Sequence, residues 1–440
     1  MKTTALCAGI ILLSCGFSLG QQYNVLYSFV GARAGDGANP VSNLVLDRIG
    51  DLYGTTQFGG SGTACTFNCG TVFKLSPNGD GTWTEKVLYN FCSADSCQDG
   101  VYPRAGLIFD AKGNLYGTTT AGGVHSYGTV FELSPLSPPA DSWTETVLYS
   151  FCANYQNSTC LDGANPLSQL TLDAAGNLYG TTSTGGSGGT SGGCCEGGTV
   201  FELSAGVGGW TETILHNFCA GGGICADGEA PQAGVTFDKL GNLYGTTTAG
   251  GDFQGRGTVY KLSPGANGWT ETVLRTSKQS LAAAPLGTVS IDPLGNLYST
   301  FSGGGQNGLG GVFRLGLHGG GTEFSFNGVN GEAPTAGVLI DSRHLALYGT
   351  TSVGGTGYGN VFKIVAPDQE TVLYNLCSQP NCTDGNGSFA GLIEDKSGNL
   401  YGTTKLGGTN NLGVVFEIVQ APEPKTSRPP AWHTILRSTK

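Results

Sequence analysis

The sequence predicts a seven-bladed β-propeller of four-stranded antiparallel blades, and three observations carry the prediction. A ten-residue motif returns seven times, side chains within each copy grade from small to large, and the two ends of the repeat region complement each other. The motif Asp-x-x-Gly-Asn-Leu-Tyr-Gly-Thr-Thr places its tyrosine at Tyr53, Tyr116, Tyr179, Tyr244, Tyr298, Tyr348 and Tyr401, at spacings of 50–65 residues. Repeats of that length, divided into short strands by turn residues, suit the blade of a propeller.

Each copy holds four candidate strands, A to D. Strand A is an apolar run ending in aspartate, such as Leu107-Ile108-Phe109-Asp110. Strand B is Leu-Tyr-Gly-Thr-Thr, strand C is Thr-Val-Phe-x-Leu, and strand D is Trp-Thr-Glu-Thr-Val-Leu-Tyr. Glycine turns separate them. Blades splay from an axis, so inner strands need small residues and outer ones need large residues. Strand A often opens with Ala-Gly (Ala105-Gly106, Ala233-Gly234, Ala336-Gly337), whereas strand D carries Trp, Leu, Tyr and Phe. Copies five and six are degraded in strand D (residues 322–326 and 370–376).

The last copy has strands A, B and C but runs on into Pro422-Glu423-Pro424, while residues 23–29 form a strand D with no blade before it. Pairing these two ends closes the ring and hides the open sheet edges. A rival for the closing strand is Trp432-His433-Thr434-Ile435-Leu436. The proline-containing stretch before it reads as a linker, which favours the N-terminal strand.

Composition agrees with this reading. Glycine is 76 of 440 residues, about 17%, against roughly 7% in average proteins, and charged residues are 12% against roughly 25%. The net charge of −11 would repel a phosphate backbone, so no nucleic-acid partner is expected. Residues 1–20 read as an export signal, with Lys2 ahead of an apolar run and Ser18-Leu19-Gly20 as small residues for cleavage. A second reading takes Leu12-Leu13-Ser14-Cys15 as a lipoprotein site with lipid on Cys15. The apolar run is short for a bilayer, and no transmembrane segment is expected. The organisation is therefore a leader (1–20), a propeller (21–419) and a polar proline-containing tail (420–440), secreted or held at the cell surface, as a monomer.

The repeated Gly-Asn-Leu-Tyr-Gly-Thr-Thr, Gly-Gly and Gly-Thr-Val-Phe units resemble the GloVer tandem repeat of exported bacterial proteins, over residues 23–419. The resemblance implies export and surface association; it brings no activity and no catalytic residues. Some relatives end in a Pro-Glu-Pro sorting signal followed by a hydrophobic helix, but here Pro422-Glu423-Pro424 leads into Lys425 and a polar tail.

Beyond the leader, twelve cysteines fall into local pairs: Cys65/Cys69, Cys92/Cys97, Cys152/Cys160, Cys194/Cys195, Cys219/Cys225 and Cys377/Cys382. Four pairs sit in the loop after strand D, and loops lacking the first cysteine also lack the second. Joint loss is the behaviour of disulfides, which an exported protein can form. Zinc is the rival for Cys65-x-x-x-Cys69 and Cys194-Cys195, but no histidine recurs beside them and no metal or cofactor is expected. Adjacent Cys194 and Cys195 would bond to each other or to other cysteines.

In this topology the D-to-A and B-to-C loops share a face, the first place to look for a ligand. Asp-Gly recurs there at Asp36, Asp99, Asp162, Asp227 and Asp384, with Asn330 once in its place. These aspartates are candidate ligand-binding residues for a cation or sugar hydroxyls, against the plainer reading of tight turns. The aspartates ending each strand A (Asp47, Asp110, Asp173, Asp238, Asp292, Asp341, Asp395) read as hairpin turns. Trp83, Trp143, Trp210 and Trp269 read as packing between blades, and the nearby Glu145 and Glu212 as guards of the outer edge.

No catalytic set is legible. The five histidines form no metal spacing, and neither a Gly-x-Ser-x-Gly elbow nor a phosphate loop is present. The expectation is a non-catalytic module binding an extracellular glycan, polymer or protein. The alternatives are a carbohydrate lyase or hydrolase with its site at the channel mouth, or a structural envelope or adhesion protein. A channel mouth lined only by repeat-equivalent glycine and threonine would count against the enzyme.

Overall fold

In the computed structural model, which describes residues 21–420 except 137–141, 188–196, 222, 253, 277–281, 317–320, 342–345 and 366–368, the repeats form seven four-stranded antiparallel sheets. In the first, strands A to D are Val45–Leu46, Leu52–Thr56, Thr71–Pro77 and Trp83–Asn90, hydrogen-bonded in that order. The next five repeat this order. The seventh takes Ile393–Glu394, Leu400–Thr404 and Val414–Val419 from the last copy and Gln22–Ser28 from the first residues described. Gln22 lies opposite Val419 and Ser28 opposite Val414, so the N-terminal strand closes the ring. The rival closing strand, 432–436, lies outside the described residues.

Strand A is shorter than its apolar run suggests, pairing with strand B over two residues in six of the seven blades. In two of these the reason is visible: Ser42 Oγ accepts the Thr55 N–H at 3.2 Å and Ser168 Oγ that of Thr181 at 3.2 Å, so a side chain takes the place of the ladder. The first threonine of Gly-Thr-Thr works in the other direction. Thr55 Oγ1 donates to the carbonyl of Ala105 in the next blade at 3.0 Å, and the equivalent bond forms at all seven joints, Thr403 to Ser42 included. A polar belt thus ties each blade to its neighbour around the axis.

The hydrophobic core lies between blades. Seven clusters of buried residues each join two neighbours, as where Tyr53, Val72 and Phe91 of blade 1 meet Leu107, Leu115 and Phe131 of blade 2. Phe91 meets the Phe131 ring edge-on at 5.0 Å, a favoured aromatic geometry. The tryptophans opening strand D also serve these joints: Trp143 meets Tyr53 of the preceding blade at 6.2 Å. Blade 5 departs from the pattern. Its strand D, Gly321–Ser325, lacks the bulge carried by strand D elsewhere, in line with its degraded sequence.

Candidate functional site

Loops are built into one face by main-chain pairing. Gly37–Ala38 of a D-to-A loop pairs with Phe58–Gly59 of the adjoining B-to-C loop, and each other blade has an equivalent contact, such as Val101 with Ala121 and Asn386 with Leu406. The structure places disulfides Cys92–Cys97, Cys152–Cys160, Cys219–Cys225 and Cys377–Cys382 in the D-to-A loops, and Cys65–Cys69 in the B-to-C loop of blade 1. Cys194 and Cys195 lie outside the described residues. Sulfurs of Cys69, Cys92 and Cys97 lie within 4.8 Å of one another, so two staples meet at this point of the face.

At the centre of that face, the residues four places ahead of the seven A strands line one cavity of about 270 Å³. Each follows a proline, or Ser388 in blade 7, and each comes from a different blade. The apolar members are Val41, Leu167, Leu286 and Phe389; the polar ones are Arg104, Gln232 and Thr335. Two residues further along, the side chains of Asn43 and Gln169 reach each other from different blades and link the A strands. Asn43 Nδ2 donates to Gln169 Oε1 at 3.3 Å, Gln169 Nε2 donates to Leu107 O at 2.8 Å, and Asn43 Oδ1 accepts the Gly391 N–H at 2.6 Å. Glycines at the equivalent positions give them room: a Cβ on Gly106 would lie 3.1 Å from Gln169 Cδ. The seven lining residues form a cup at the head of the A strands.

Arg104 is the one charged residue lining the cup, and burial lowers its guanidinium pKa. Phe389 is 37% exposed, with the Lys405 ammonium 5.1 Å from its ring centre. Thr335, the one hydroxyl of the lining, donates to Phe389 O at 3.3 Å. Nothing in the sequence reading singled out these residues. Their signal was a position that changes chemistry in nearly every copy, between motifs that hardly change.

The Asp-Gly residues lie away from the cup, at the outer joints between blades. Asp99 is 2% exposed; its Oδ2 accepts the Tyr89 hydroxyl at 2.8 Å and the Ser93 N–H at 2.8 Å. Asp36, Asp162 and Asp384 accept from Tyr27, Tyr149 and Tyr374 in the same way, while Asp227 meets His216 Nε2 at 3.3 Å and the Cys219 N–H at 3.0 Å. Each carboxylate pins its loop to the outer strand. Across the joint comes the strand-D glutamate of the next blade, so these glutamates face inward between blades and do not guard a free edge. Glu145 Oε1 is buried without a hydrogen-bond partner, and so are the same atoms of Glu85, Glu212, Glu271 and Glu370. Burial pushes the Glu85, Glu145 and Glu212 carboxyls up to about 8, with the Asp36, Asp99 and Asp162 charges adding to it.

Joints that depart from this Tyr–Asp–Glu set relieve its charge. Arg275 stands where the tyrosine would and pairs with Glu323; Asn330 replaces the aspartate opposite Glu370; Tyr23 replaces the glutamate and donates to the Asp384 carbonyl at 2.5 Å.

Hairpin aspartates occupy the opposite face. Asp110 Oδ1 accepts the Lys112 and Asn114 N–H groups at 2.8 and 2.9 Å, and Asp47, Asp173, Asp238, Asp292 and Asp395 repeat the turn. Grooves of about 590 and 520 Å³ run between these hairpins, larger than the cup. Their aspartates are already committed to turn amides, whereas the cup collects varied side chains from all seven blades. The cup is the stronger candidate.

A closed seven-bladed propeller with a varied axial cup on its stapled face is the class of protein that fold and site define. Residues 16–193 and 188–416 match the Gloeobacter/Verrucomicrobia repeat, and the chain belongs to that family. No curated protein matches it in sequence. Among solved structures, a streptogramin B lyase is similar with a TM-score of 0.55 at 14% identity, covering 91% of this chain and 97% of that one. Virginiamycin B lyase from Staphylococcus aureus gives 0.53 at 11% identity, covering 91% and 99%. At such identities the likeness is one of fold. No helix among the described residues is long and apolar enough to cross a membrane.

Proposed function

We propose that the protein is an exported, non-catalytic binding module of the cell surface or extracellular space, which holds its partner at the axial cup. The observation that carries this reading is the cup's lining: one position of the repeat, seven blades, six different residue types. Elsewhere equivalent positions keep their chemistry because the fold needs it. Four of the seven D-to-A loops on the cup's face carry a disulfide and all seven are paired through the main chain with a B-to-C loop, which lowers the entropy lost when a partner binds there. Arg104 is the one ionisable side chain of the lining, a group suited to holding an anion more than to exchanging protons. The leader sequence and the disulfides support export, through free secretion or lipid on Cys15.

The test is a thermal-shift screen of the disulfide-bonded protein against soluble polysaccharides, calcium and EDTA, followed by reducing-end and unsaturation assays of every glycan that shifts the midpoint. A partner at a hundredfold excess over its dissociation constant adds about 2.7 kcal/mol to native stability. Binding without cleavage is the expected outcome; turnover of a bound glycan would overturn the non-catalytic reading.

A further inference from the structure

Taking the cup as the binding site, we propose that it receives a single carboxylate carried on a compact, largely apolar body. Arg104 supplies the charge. None of the ion pairs among the described residues involves it, and the other six residues of the lining are neutral. A partly desolvated guanidinium without a carboxylate neighbour is an anion site in waiting, because its planar fork matches two carboxylate oxygens at once. One such group balances one negative charge, which suits a carboxylate better than a phosphate dianion. In a chain of net charge −11 this is the less expected sign at the axis.

The walls set the rest of the ligand. Val41, Leu167, Leu286 and the exposed Phe389 ring offer apolar surface, against which the hydroxyls of a free sugar would lose water without replacement partners. Gln232 and Thr335 leave room for one or two polar groups. A volume of about 270 Å³ falls just below the range of roughly 300–1,000 Å³ common for drug-sized ligands, so the body is small.

The probe is 3-phenylpropanoate, titrated calorimetrically into the disulfide-bonded protein beside its neutral analogue 3-phenylpropanol and beside glucuronate, which stands for the acidic end of a polysaccharide. The acid is expected to bind at least about tenfold more tightly than either. Arg104→Gln should weaken it by at least about tenfold and Arg104→Lys by less, with thermal midpoints unchanged in the absence of ligand, since much of the Arg104 side chain reaches solvent even though its guanidinium is partly desolvated, and none of the ion pairs among the described residues involves it. Equal binding of the alcohol, tighter binding of glucuronate, or indifference to Arg104→Gln would overturn the proposal. Proton NMR of the incubated acid separates this from the function proposed above. If the acid binds and is converted, the ligand class stands and the non-catalytic reading falls. If none of the three binds while a glycan shifts the midpoint, the ligand class falls and the binding module stands.

Discussion

At Gly117 the strand-B backbone runs against the ring of Phe131, and a Cβ there would lie 2.6 Å from Phe131 Cζ. The glycine of Gly-Thr-Thr is therefore set by the phenylalanine of Thr-Val-Phe on the next strand. Gly117→Ala should cost about 1–3 kcal/mol through overpacking, read as a lower urea midpoint. Gly117→Ala with Phe131→Leu should recover part of that loss; a double variant no better than Gly117→Ala would place the strain elsewhere. Small residues near the axis were legible from the sequence, since Gly-Thr-Thr recurs in six copies and Ser299-Thr300 stands in the other. The cup was not: one changing residue per copy reads as noise until ring closure brings Val41, Arg104 and Phe389 to one cavity. The threonine belt was hidden for a related reason, because Thr403 and Ser42 meet only when the last blade reaches the first.

Elements meet at the rim through buried carboxyls, and this makes stability depend on pH. In the folded protein Glu85, Glu145 and Glu212 keep their protons up to about 8, and Glu271 up to about 7, whereas an unfolded chain releases them near 4.5. Their contribution is fully present below 4.5 and is lost as pH rises through 7 to 8. The thermal midpoint should fall between pH 6 and pH 9, and Glu145→Gln should raise it at pH 9 by about 1–3 °C while changing little at pH 5. A midpoint that climbs with pH over this range would contradict protonated glutamates at the joints. Strand D alone could not reveal them: Asp99 and Glu145 belong to successive copies and are paired only by blade stacking. The staples act on the same loops. Each disulfide closes a short loop of 4–8 residues, worth roughly 2 kcal/mol by chain entropy, so reduction should lower the midpoint without unfolding the strands. A reduced protein with an unchanged midpoint would show that the loops are held by their main-chain pairs alone.

Across the whole molecule the ring depends on Gln22–Ser28, which fills the outer place of blade 7 and carries Tyr23 onto Tyr374 at a centroid distance of 3.8 Å. Removing residues 21–28 should leave Val414–Val419 with an open edge, lower the midpoint sharply and promote association. An unaltered midpoint and an unaltered state of association would mean that another segment closes the ring. The repeat made blade number and closure legible, but family membership and fold leave the partner open. The most direct measurement of the central claim is therefore the thermal-shift screen run in parallel on the protein and on Leu167→Trp, which fills the cup from one wall. Any compound that raises the midpoint of the first should fail to raise that of the second. An equal shift in both would place the binding surface elsewhere and contradict the cup.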